Sequence, residues 1–330
     1  MEDAPAWRPG ADWATLRLRA KMLAQIRAFF ALREVLEVET PALSAAAIPD
    51  PHLSSFAVHY TGPGSRHGQT LYLHTSPEFA MKRLLAAGSG CIYQIARVFR
   101  DGEAGRRHNP EFTLLEWYRV GFDHHRLMDE TAALVAELLA GRLSLQKPER
   151  LSYQEIFQRR LGLDPHRATV AELAAGAAAQ NVPIPSGMPL NDPDPWLNLL
   201  LTHRIEPELG QGRLTFVYDY PVSQAALARL RPGDPPVGER FELYLNGVEL
   251  ANGFHELGDA IEQRRRFVAE NAVRRAAGLP AMPVDEALLA ALAAGLPKCA
   301  GVALGFDRLV MLAAGKASIQ PTMAFAIDRA

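Results

Sequence analysis

Arg97-Val-Phe-Arg100 and Phe112-Thr-Leu-Leu-Glu116-Trp-Tyr118 flank a polar loop that carries Arg106, Arg107, His108 and Asn109. Guanidinium groups bind phosphate oxygens in pairs, and an aromatic face stacks on a purine. An alternation of period two puts Phe112, Leu114, Glu116 and Tyr118 on one strand face, so a stacking ring, a carboxylate and a phenol point the same way. Cys91 to Arg100 alternates as well, with Gln94, Ala96, Val98 and Arg100 on one face. Such a hairpin suits a nucleotide triphosphate held beside an amine. A half-buried hairpin with a solvated tip is the plainer reading of any one of these residues. A carboxylate among apolar neighbours nevertheless needs a partner, because burying it alone is costly.

Three further segments carry chemistry. Arg240-Phe-Glu242-Leu-Tyr-Leu-Asn246-Gly247-Val-Glu249-Leu250-Ala-Asn252 reads as two strands around an Asn-Gly turn, and a two-residue type I′ loop sets the register. That register pairs Leu245 with Val248, Tyr244 with Glu249 and Glu242 with Ala251. Glu242 and Glu249 then share a face and can serve one divalent cation such as Mg²⁺, whereas Asn252 falls on the other face unless a bulge intervenes. Ala300 to Leu312 reads as a small-residue strand that passes through Gly305 into an apolar helix, with Arg308 in its first turn; a helix N-terminus with an arginine favours an anion. Thr75-Ser76-Pro77-Glu78 fits a capping box with proline at the first helical position, which gives Glu78 a purely structural alternative.

The elements that must position these groups are legible in outline. Leu16, Leu23, Ile26 and Phe30 recur at helical spacing between about Asp12 and Leu32, Val35 to Val38 reads as a strand, and Leu71 to His74 is a strand entering a helix that ends near Gly88. Capping boxes begin helices at Ser152 and Thr169, and a Pro-rich passage from Val182 to Pro195 leads to another. Arg264 to Arg266, with Arg274 and Arg275, is expected to form a solvated helix face.

Composition narrows the class. The chain has 330 residues, 48% hydrophobic and 22% charged, enough for a full core in one large or two ordinary domains. No apolar run spans a bilayer and the first residues are acidic, so a cytoplasmic protein is expected. Cys91 and Cys299 lack metal-ligand spacing and suggest no disulfide framework. A net charge of −2 is not the footprint of a surface that holds a long polyanion.

In this order the segments resemble the three motifs of class II aminoacyl-tRNA synthetases. Glu37-Val-Glu-Thr-Pro41 is similar to the first, Phe99 to Tyr118 to the second and Gly301 to Leu312 to the third. Thr75 to Glu78, Arg107 to Phe112 and Glu249 to Glu256 resemble the lysyl-tRNA synthetase core in particular. Too few residues precede Thr75 for that enzyme's anticodon-binding barrel. The short chain, its opening Trp7 and helix, and Glu111-Phe-Thr-Leu-Leu-Glu-Trp-Tyr-Arg119 instead resemble that enzyme's freestanding relatives, which attach (R)-β-lysine to a lysine side chain of elongation factor P. The resemblance implies an α+β fold, a mainly antiparallel sheet flanked by helices, as a single catalytic domain with a helical insertion at about 143–213. It further implies ATP and Mg²⁺, a homodimer built through the Pro41 segment, no membrane, and tRNA lost as a substrate.

Roles follow residue by residue from the same resemblance. Arg100 and Arg308 are the catalytic cations, with Arg100 on the α-phosphate. Asp101, Gly102, His108, Asn109, Phe112, Glu249, Leu250 and Gly305 complete the nucleotide site, with adenine between Phe112 and the Arg308 guanidinium. Glu242 and Glu249 hold Mg²⁺; Ser76, Pro77, Glu78, Glu116, Tyr118, Asn252 and Glu256 bind the lysine-like substrate. Two positions depart from the family pattern. Gly102 stands where an acid contacts the adenine amino group, leaving the Gly102 backbone or Glu103 to replace it, and Ala303 stands where synthetases have glycine. A truncated synthetase that charges tRNA and a non-catalytic paralogue are the competing readings.

Overall fold

The computed structural model describes residues 7–64 and 68–330; the acidic start lies outside them. The chain runs through α1 (Trp13–Ala31), β1 (Leu36–Glu37), β2 (Leu43–Ser44), β3 (Ala57–Tyr60), β4 (Gln69–Leu73), α2 (Glu78–Ala86), β5 (Ile92–Phe99) and β6 (Glu111–Val120). Next come α3 (His124–Leu139), β7 (Gln146–Ser152), α4 (Tyr153–Leu161), α5 (Val170–Ala179), α6 (Asp194–Leu200), β8 (Arg213–Pro221) and β9 (Leu230–Arg231). Then follow β10 (Val237–Leu245), β11 (Val248–His255), α7 (Ala260–Ala276), α8 (Glu286–Gly295), β12 (Cys299–Gly305) and α9 (Phe306–Ala313). The architecture is α+β with mainly antiparallel pairing, as expected. Two compact units divide it: residues 1–121, 258–299 and 303–330 form one, and 122–257 with 300–302 the other.

In the first unit β5 and β6 pair antiparallel, Gln94 opposite Glu116 and Val98 opposite Phe112, while β1 runs parallel to β5. Alternation divides this hairpin into two jobs. Tyr93 and Trp117, on one face, seat α1: Phe30 stacks on Tyr93 at 4.4 Å between centroids and meets Trp117 edge-on. Phe112, Leu114, Glu116 and Tyr118 are thereby left on the other face. Helix α1 is capped by Asp12, whose carboxylate accepts from Thr15 N at 2.7 Å. Its buried stripe is Leu18, Met22, Ile26, Phe29 and Phe30, rotated from the expected one so that Leu16 and Leu23 are only half-buried. Asp307, almost fully buried, accepts from Thr113 N at 2.6 Å and pairs with Arg19, fixing the start of α9 to β6 and α1.

Several expectations need correcting here. The capping box at Thr75 does not form: Pro77 is the N-cap without a side-chain bond, and the first amide of α2 donates to Ser76 Oγ. The strand expected at Val35 to Val38 is the two-residue β1. Arg274 is buried, donating to the carbonyls of Pro280, Asp50 and Leu53, so only part of the arginine cluster is solvated.

The second unit pairs β11, β10 and β8 antiparallel, with β7 parallel to β8 and β9 on β10. Tyr153, Phe157, Trp196, Leu200, Tyr220 and Tyr244 anchor its core, against which α4, α5 and α6 pack. Both capping boxes, at Ser152 and Thr169, are formed. The segment 143–213 is not purely helical, since β7 lies within it. Asn246 and Gly247 both have positive φ, 50° and 67°, as a type I′ turn requires. Beyond the turn the register shifts: Glu242 faces Asn252, not Ala251, because β11 carries one extra residue around Leu250.

Candidate active site

Glu116 organises the candidate residues of the first unit. It is 2% exposed, and both oxygens are engaged: Ser76 Oγ donates to one at 2.6 Å and Tyr118 Oη to the other at 2.6 Å. Two hydroxyl donors hold this buried carboxylate in a fixed orientation. Tyr118 packs into a cluster with Met81, Leu85 and Ile92, which fixes its ring. Pro77 starts α2 beside them, and Glu78 forms an ion pair with buried Lys82 one turn on, at 2.6 Å. The i,i+4 spacing is visible in the sequence, but the burial of Lys82 is not, because a helix lysine is usually solvated.

Arg100 stands at the end of β5 and donates to Thr75 O at 3.4 Å; its guanidinium lies 5.0 Å from the centre of the Phe112 ring. Arg100 is thus one cationic neighbour of the ring within the chain. Arg308, in the first turn of α9, lies instead 2.7 Å from His108 Nε2 and donates to Arg107 O. Burial and then the Arg308 charge hold His108 below the ordinary histidine pKa, so its Nε2 is available as an acceptor. Asn109 is buried and spends its amide on backbone, donating to Glu111 O and accepting from Ile327 N. Its position makes it a clasp for the loop. Asp101 is exposed and its amide donates to Ser54 O.

The two departures from the family pattern acquire physical reasons. Gly102 has φ of 80°, a conformation that strains any residue with a side chain, and Glu103 turns toward Arg100 at 3.7 Å. Ala303 packs with Ala96, Val98, Leu114 and Phe112, beneath the aromatic ring. Gly305, the N-cap of α9, has an ordinary φ of −69°, so backbone shape does not demand glycine there.

The second unit holds the acids. Glu242 is buried, pairs with Arg240 and accepts from Tyr244 Oη. Burial first, and then Glu242, push the Tyr244 phenol well above its ordinary range, so it remains a donor. Glu249, opposite Tyr244, lies on the same face. The bulge turns Asn252 toward that face too, where its Oδ1 accepts from Arg240 Nε at 3.2 Å. Leu250, at the bulge, and Glu256, just past the end of β11, are both buried. Arg240 and Tyr244 were missed by the sequence reading, although Arg-x-Glu-x-Tyr on a strand puts all three on one face. Each Glu242 oxygen keeps a lone pair beyond these bonds, and two carboxylates on one strand face suit Mg²⁺.

The first unit carries an arginine-bearing hairpin and the second a carboxylate hairpin. Residues 8–329 match the family of tRNA synthetases class II (D, K and N), and the chain belongs to it. It is 53% identical to the elongation factor P–(R)-β-lysine ligase of Vibrio cholerae serotype O1 over 324 residues, 98% of each chain. It is 51% identical over 330 residues, the whole of both chains, to the proteins of that name in Salmonella paratyphi B and Salmonella schwarzengrund.

Proposed function

We propose that this chain is an AMP-forming ligase that activates (R)-β-lysine, and α-lysine more weakly, and transfers it to a lysine side chain of elongation factor P. The carrying observation is identity above half with ligases of that name along the full length. The buried, doubly hydrogen-bonded Glu116 supports it, as a fixed acceptor for a substrate ammonium. The cytoplasm, where translation factors act, is the proposed compartment.

Catalysis rests on positioning and charge. Glu116, Tyr118 and Ser76, with Glu78, orient the amino-acid ammonium, and Asn252 and Glu256 are the substrate-binding residues of the second unit. The substrate carboxylate attacks the α-phosphorus of ATP and pyrophosphate leaves from the opposite side. Arg100, held beside Phe112 and the Thr75 carbonyl, stabilises the charge that develops there. Phe112 stacks on the adenine, and Arg308 with His108 binds the outer phosphates. Glu242 and Glu249 would hold Mg²⁺, which when bound neutralises phosphate oxygens. The acceptor amine, arriving deprotonated, then attacks the adenylate carbonyl; an amide forms and AMP departs.

Incubating the protein with labelled lysine isomers, ATP and either elongation factor P or tRNA tests this reading. Label on elongation factor P, stronger with the β-isomer, is expected. Label on tRNA alone, or no adenylate at all, would replace it with one of the competing readings.

A further inference from the structure

A second cluster of chemistry-bearing groups lies in the second unit among residues to which the ligation gives no role. His124 opens α3, Asp219 sits near the end of β8, Glu239 lies in β10 and His255 closes β11. One ligand atom each from His124, Glu239 and His255 lie within 4.8 Å of one another, and His124 Nε2 is 3.8 Å from Asp219 Oδ1. His124 is 1% exposed, yet neither ring nitrogen has a hydrogen-bond partner. Asp219 Oδ1, Glu239 Oε2 and His255 Nδ1 are buried and equally without one. The last two approach to 2.8 Å but lack the alignment of a hydrogen bond. Orphaned polar atoms of this kind are costly and rare, and here they converge.

The backbone is shaped to bring them together. Between the pairs Gly238–Tyr220 and Phe241–Tyr218, two residues of β10, Glu239 and Arg240, oppose the single Asp219. Such a bulge re-aims side chains, and Asp219 has φ of 60°, a conformation uncommon outside glycine. Both carboxylates therefore leave the regular strand alternation at the same point, toward the two imidazoles.

We propose that His124, His255, Glu239 and Asp219 form a zinc site, separate from the Mg²⁺ carboxylates, that ties the start of α3 to the ends of β8 and β11. Two imidazoles with one or two carboxylates are a zinc donor set. Tetrahedral ligands lie roughly 3.3 Å apart, so the cluster contracts modestly around the ion. Arg229 and Arg231, which now pair with Glu239 and Asp219, have side chains 43% and 42% exposed and can return to water as the ion binds. His125, its ring 4.2 Å from that of His124, closes one side.

The test is to strip the full-length protein with a chelator and titrate Zn²⁺ against a chromophoric competitor in excess Mg²⁺. The same protein is loaded with Co²⁺ and its visible spectrum recorded. One Zn²⁺ per chain is expected, with a raised Tm and an intense tetrahedral Co²⁺ band. His124→Gln and His255→Gln should each weaken binding by about tenfold or more. No saturable Zn²⁺ binding, a weak octahedral Co²⁺ spectrum, or affinity unchanged in both variants would overturn the proposal. Should a variant misfold, the Co²⁺ spectrum of the unaltered protein still decides.

Discussion

Arg100 is the residue on which the proposed first step most depends. Among the described residues its guanidinium makes a long bond to Thr75 O, an ion pair with Glu103 and a contact with the face of Phe112. Arg100→Ala should therefore leave folding intact while lowering ATP–pyrophosphate exchange by on the order of 10²-fold or more; a smaller loss would move the catalytic charge elsewhere. Lys82 and Glu78 test a different point. Removing one partner of a buried pair strands the other, so Lys82→Met should cost about 3 kcal/mol or more by denaturant unfolding, and Lys82→Met with Glu78→Met clearly less. Glu270 gives a pH dependence: burial first, and then Asp50, raise its carboxyl from 4.5 to about 7. The folded state binds a proton there that the unfolded chain has released, so its contribution to stability is lost as pH rises from about 4.5 to 7. Glu270→Gln should consequently raise Tm at pH 8 and change it much less at pH 5. Of these residues, Arg100 and Phe112 were legible from type and spacing. Lys82 and Asp307 were not, because their roles come from burial and from partners that local pattern does not reveal.

At the scale of elements, alternation and turn chemistry carried most of the information. The hairpin of β5 and β6 has its expected faces because every residue obeys a period of two and no bulge intervenes. The β10–β11 hairpin was half legible: the Asn-Gly turn fixed the first two pairs, and the bulge at Leu250 then moved Glu242 opposite Asn252. A bulge reflects packing on both sheet faces, so the alternation of one strand does not announce it. Gly247→Ala tests the turn. A β-carbon there would stand 3.1 Å from Pro207 O at a φ of 67°. Strain of that kind costs about 1–2 kcal/mol, measurable as a lower denaturation midpoint; an unchanged midpoint would mean that the turn is not what sets the register.

The whole molecule bears on partners. Leu36 and Leu43, flanking the segment that resembles the first motif, are 56% and 42% exposed in the single chain. A homodimer is therefore expected in sedimentation equilibrium, and Leu36→Asp should shift it toward monomer. A monomeric wild type at micromolar concentration would refute this. No helix among the described residues is long and apolar enough to cross a membrane. The net charge of −2 lacks the cationic excess that supplies general affinity for long polyanions. That balance was readable from composition alone, whereas the division into two compact units was not, since the second unit takes only residues 300–302 from the last strand.

The left-handed turn at Gly102 also limits what an exchange at this position can do. An acid placed there meets a backbone that already disfavours it, and the neighbouring Glu103 is paired with Arg100. A carboxylate can therefore enter this loop without strain only if the turn itself changes shape, so the chain's backbone, and not the chemistry of the side chain, decides what residue 102 is able to offer a ligand.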